Sequence, residues 1–123
     1  MKLQLASPVG LNAFTGYGAG YVLVNNRRYE HSLVVTPERV IEEWRPQGVD
    51  QLDAGHFEFL LGLSPAIVLL GTGATLRFPA PSLSRSLTAA RIGFEVMDTG
   101  AACRTFNLLT AEGRNVAAAI LVG

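Results

Sequence analysis

FEVMDTGAACRTFNLLTAEGRNVAAAILVG, residues 94–123, is the stretch on which the fold turns. Phe94–Met97 is an apolar run of strand length. Asp98 and Thr99 follow it, and their side chains can accept hydrogen bonds from the free N–H groups of a helix's first turn. Ala102, Phe106 and Leu109 recur at helical spacing, so a helix spans Thr99–Glu112, with Gly113 as its left-handed terminator. Val116–Val122 is a second apolar run and forms the closing strand. The link from Gly113 to Val116 is so short that the direction of this last strand stays open.

The same alternation runs back to Pro65. Ala66–Leu70 (AIVLL) is continuously apolar, as a strand covered on both faces must be. Ser82–Ala90 reads as a helix, with Leu83, Leu87 and Ala90 at i, i+4 and i+7. Strands separated by such helices make right-handed βαβ units with nominally parallel strands.

Before Pro65 the pattern changes. Tyr21–Asn25 (YVLVN) and His31–Thr36 (HSLVVT) are β-branched runs flanking NRRYE, and they are expected to pair as an antiparallel hairpin with positive φ at Asn25-Asn26. Thr36-Pro37-Glu38 matches a helix start, with Thr36 as cap and Pro37 in the first position. Val40, Ile41 and Trp44 would share one face, and Pro46 would stop the helix. Asp53 caps a second short helix whose stripe is Phe57, Leu60 and Leu61, before Gly62. Residues 1–17 are expected to be loosely held. Together these elements specify an α/β fold of three layers in one domain over residues 1–123. A central mixed sheet of about five strands carries helices on both faces and an N-terminal β-hairpin.

The composition narrows the function classes. Of 123 residues, 49% are apolar and the formal net charge is zero, so there is no basic excess to support nucleic-acid binding. The charge is uneven: +3 over residues 1–29, −5 over 30–58 and +2 over 59–123. A solvated helix surface is the ordinary meaning of an acidic middle, and a docking face the less ordinary one. The single cysteine allows no internal disulfide and suits a reducing compartment. The longest apolar runs are strand-sized, and no signal-peptide core stands at the N-terminus, so the expectation is a soluble, cytoplasmic protein without a transmembrane segment.

Chemistry has few candidates. Gly71-Thr72-Gly73 stands at the carboxyl end of the most buried strand, where open α/β sheets gather ligands. It belongs to no dinucleotide fingerprint and no phosphate loop. Asp98 and Thr99 stand at the end of the next strand, and helix capping alone accounts for both. If the two strands, 66–70 and 94–97, are neighbours, these loops line one crevice at their carboxyl ends, for a partner or, alternatively, for a small molecule or nucleotide. Cys103 and Arg104 lie one turn further on; the helix start and the cation could both lower a thiol pKa, yet no base stands near. A packing cysteine is the plainer reading, with Asn107 a polar flank. His31 and His56 are far apart in sequence, so no catalytic set, metal set or cofactor motif is expected.

IVLLGTG, GFEVMDTGAACRTFNLL and AEGRNVAAAIL together resemble a small family of proteins of unknown function, found in bacteria and archaea, whose mitochondrial relative is an assembly factor for respiratory complex I. The resemblance runs from about Gly18 to the C-terminus. It implies a three-layer α/β fold with a mixed sheet, no established enzyme activity, and a protein partner. Two positions depart from the family pattern: Gly100, where relatives often carry proline at the helix start, and Arg91, where they often carry glycine. An edge strand in the N-terminal hairpin is compatible with a homodimer.

Overall fold

A computed structural model describes residues 10–122. In chain order the strands are β1 (Phe14–Gly18), β2 (Tyr21–Val24), β3 (Arg27–Tyr29), β4 (Leu33–Val35), β5 (Val40–Ile41), β6 (Ile67–Gly71), β7 (Gly93–Met97) and β8 (Val116–Ile120). The helices are α1 (Ala54–Gly62), α2 (Arg85–Ala89) and α3 (Thr99–Ala111). The main sheet has the order β5-β4-β8-β6-β7 and a small sheet the order β1-β2-β3. The main sheet is mixed: β8 runs parallel to β6 and antiparallel to β4, which settles the direction of the closing strand.

The central strand β8 is buried throughout and sends alternate residues to opposite faces. Ala118 and Ile120 join Leu33, Val35 and Leu69 beneath α3 and the small sheet, where Phe14, Val22, Val24, Ala102 and Phe106 close the core. Ala117 and Ala119 join Val34, Val68 and Leu70 beneath α1 and α2, with Trp44, Phe57, Leu60 and Leu87 above them. Small side chains in the middle strand let both outer layers approach closely. The three layers and the mixed five-stranded sheet are those expected.

Three local expectations are corrected. The hairpin is real, but β2 pairs with Arg27–Tyr29 and not with His31–Thr36. Asn25 (φ 52°) and Asn26 (φ 68°) both turn left-handed, so a two-residue loop reverses the chain at once. That leaves the wholly buried Leu33–Val35 free to enter the main sheet beside β8. Residues 14–17, counted among those expected to be loose, belong with Gly18 to β1 on the other side of β2; residues 1–9 lie outside the described residues. With β2 paired on both sides, the edge strands of the small sheet are β1 and β3.

The helix expected from Thr36 to Trp44 is absent. Thr36 donates its N–H to Arg39 O, and its Oγ1 accepts from Arg39 N, at 2.9 and 3.0 Å. The same hydroxyl-to-i+3 bond that caps a helix here closes a turn. Val40 and Ile41, β-branched and pre-disposed to extended backbone, then pair back on Val35 and Val34. Trp44 is buried all the same, its Nε1 donating to His56 O. Elsewhere the local signals hold: Asp53 caps α1 by accepting from His56 N, and Gly113 is left-handed at φ 80°. Arg91 also turns left-handed, φ 61°, which explains why a glycine would suit its position.

Candidate functional site

Parallel pairing of β6 with β7 brings their carboxyl ends side by side, Gly71 opposite Met97. Thr99 locks the two loops together. Its N–H donates to Gly73 O and its Oγ1 accepts from Gly73 N, both at 2.9 Å, while Thr72 N donates to Met97 O. Asp98 caps α3 by accepting from Ala101 N at 2.9 Å.

A groove of about 490 Å³ opens beside this joint. Gly73, Ala74, Asp98, Thr99, Gly100 and Arg104 make one wall. Tyr17 to Tyr21, the β1–β2 turn, makes the other, with Leu121 and Val122 beneath. The facing wall is placed by α3 itself. Asn107, buried, accepts from Phe14 N at 2.8 Å and donates to Phe14 O at 2.7 Å, acting as a strand partner for the start of β1. Phe106 meets Phe14 edge-on at 5.2 Å between ring centres. Asn107 is therefore a clamp and not the polar flank its sequence position suggests.

Each tyrosine lies against a glycine. A Cβ on Gly100 would fall 2.6 Å from the Tyr17 ring, and one on Gly18 would fall 2.5 Å from the Tyr21 ring. Arg104 donates to the Tyr17 hydroxyl, linking the two walls across the groove.

The residues singled out from sequence thus take up different places. Gly73, Asp98, Thr99 and Arg104 line the groove. Thr72 instead closes the following loop, its Oγ1 donating to Thr75 O and accepting from Arg77 N. Gly71 lies beneath the groove, where a Cβ would come within 3.0 Å of Ile120 and 3.2 Å of Thr99 Cα, so the glycine is required by the approach of α3. Cys103 is wholly buried in the core under α3. Burial pushes its thiol up to about 12, against the opposing pull of Arg104, with Asp98 adding to the rise. The helix start does not activate it. His31 pairs with Glu42 and His56 with Asp53, both away from the groove. Among the described residues no group of three His, Cys, Asp or Glu side chains is arranged to hold a metal.

Sequence reasoning missed Tyr17, Tyr21, Leu121 and Val122. The available signal was YGAGY, residues 17–21, in which two aromatic residues bracket a turn of small residues.

Comparison with known proteins places this geometry among others. A family model described as "Protein of unknown function (DUF498/DUF598)" matches residues 14–121. The "13 kDa major membrane protein" of Francisella tularensis is 28% identical over 88% of this chain and 89% of its own length. The "NADH dehydrogenase [ubiquinone] 1 alpha subcomplex assembly factor 3" of Bos taurus is 31% identical over 97% of this chain, which spans 65% of that protein. A crystal structure from Bordetella parapertussis, 39% identical, superposes with a TM-score of 0.86, covering 94% of this chain and 100% of that one. No helix among the described residues is long and apolar enough to cross a membrane.

Proposed function

Because the chain belongs to the DUF498/DUF598 family of proteins of unknown function, we propose that it is a non-enzymatic interaction protein of the assembly-factor type, and that the groove between Tyr17–Tyr21 and Gly73–Arg104 holds a protein partner. The observation that carries this is the loop that follows Gly73 and Ala74. The loop that brings Gly73 and Ala74 into it is closed by Thr72 and tied by Arg77 to Asp50 at 3.0 Å, and it holds Leu76 51% and Phe78 71% exposed. Large apolar side chains left in water on the loop that leads out of the groove suit a protein surface better than a small molecule. The name of the bovine relative points the same way. A cytoplasmic site of action fits the single buried cysteine; cell fractionation tests it against the membrane-protein name of the Francisella relative.

The test is a photo-crosslinking amino acid placed at Tyr21 in cells, compared with one at exposed Glu58. A discrete adduct formed only from position 21 is expected. Identical adducts from both positions would sink the proposal.

A second reading is a small-molecule site, favoured by a groove volume within the range of such sites. A ligand would raise Tm by mass action. A metabolite that does so in the wild type and not in Tyr21→Ala would displace the first reading.

A further inference from the structure

The chemistry of the partner can be read from the charges at the groove, on the premise that a protein docks there. Two charged residues line it, Asp98 and Arg104. Asp98 is engaged: its Oδ1 accepts from Ala101 N at the positive end of α3. Arg104 is exposed, and among the described residues it faces no carboxylate within ion-pair distance; its contact across the groove is the neutral hydroxyl of Tyr17. A hydroxyl takes one of the five guanidinium donors and none of the charge. A second guanidinium, Arg28, stacks 3.9 Å from the centre of the Tyr21 ring on the opposite wall and pairs with Glu30. The acid-rich segment 30–58 contributes no residue to the groove. Apart from Thr99, whose Oγ1 accepts from Gly73 N, the rest of the lining is aromatic, aliphatic or backbone: Tyr17, Tyr21, Ala74, Leu121 and Val122 among the side chains.

We propose that the occupant is a segment of a partner protein that presents an acidic side chain next to a large apolar one. The carboxylate meets Arg104, whose planar fork matches it in a bidentate pair. The apolar side chain enters between Tyr17 and Tyr21 onto Leu121 and Val122. Tyrosine and arginine are the residue types that most often carry binding energy at such sites, and here both are held before binding, the tyrosines by their glycine contacts and Arg104 by the phenol. Association is faster at low salt and weakens as salt screens the charge.

The experiment selects a displayed library of random peptides on the intact chain, then measures the enriched peptides by fluorescence polarisation on Arg104→Glu and Tyr21→Ala. Both positions are outside the buried core, and circular dichroism melts confirm that each variant folds as the wild type does. Peptides with Asp or Glu beside Phe, Trp, Tyr or Leu are expected to be enriched. Their affinity should fall about tenfold or more on Arg104→Glu, about 1.4 kcal/mol, and fall again with added salt. A parallel selection on Arg104→Glu should return Lys- or Arg-containing peptides. Enrichment of basic or uncharged peptides that bind Tyr21→Ala poorly but Arg104→Glu normally overturns the acidic partner and leaves the groove as a docking site. Peptides indifferent to both substitutions, or no enrichment, overturn the docking site as well.

Discussion

The two walls of the groove are made in different ways. The wall of Gly73, Asp98, Thr99 and Arg104 is built at the ends of two adjacent parallel strands, and the residues that fix it are near neighbours in sequence or register. The wall of Tyr17 to Tyr21 stands on a hairpin that pairs with nothing in the main sheet. It is held in place by Asn107, which lies 93 residues from Phe14. The first wall is a product of strand ends and caps, and the second of one buried amide, a ring contact and the core packing of Val22 and Val24.

Substitutions can set the two walls against each other. Asn107→Ala should have the largest effect. It deletes both bonds to Phe14 and leaves a buried N–H and C=O without partners, so a loss of about 4 kcal/mol in denaturant unfolding is expected. Amide exchange should rise over residues 14–18 before it rises over 93–99. Equal rises in both would mean that the walls are one cooperative unit.

Cys103 reports on what lies beneath the first wall. An unfolded cysteine ionises near 9.0, whereas the folded thiol ionises at about 12. The raised value means that its contribution is fully present below pH 9 and is lost as pH rises toward 12, at about 1.4 kcal/mol per unit. Wild type should therefore lose stability across that window relative to Cys103→Ala, and the thiol should resist alkylation at neutral pH. Rapid native-state alkylation would mean that the helix opens.

The two glycines give the smallest and most local comparison. Gly71→Ala places a methyl 3.0 Å from the end of Ile120 and 3.2 Å from Thr99 Cα, so α3 and Ile120 must give by a few tenths of an ångström, at a cost of about 2 kcal/mol. Gly100→Ala meets only the outer atoms of the Tyr17 ring, which can rotate away. Alanine also favours a helix by about 1 kcal/mol over glycine, so stability should change by less than about 1 kcal/mol while the Tyr17 ring resonances shift. A large loss in Gly100→Ala would show that Tyr17 is as fixed as backbone.

Elements whose signals are local are legible in the chain of residues alone. The β6-α2-β7-α3-β8 succession, the Asp53 and Asp98 caps, the left-handed Asn25-Asn26 turn and the three-layer class follow from hydrophobic period and from side chains acting within a few residues. The tertiary structure alone decided which hydrogen-bonding partner each extended segment took. Thr36-Pro37-Glu38 satisfies a turn as well as a helix cap, and only the free edge of Leu33–Val35 makes Val40–Ile41 a strand. In the same way the YGAGY turn shows two tyrosines around small residues but carries no local sign of the wall it faces. It became a binding wall because the short Asn-Asn turn sent the following residues into the main sheet, and because Asn107 offered Phe14 the partners that a neighbouring strand would have supplied. A backbone N–H and C=O must find partners when buried, and which partners they find depends on the whole chain.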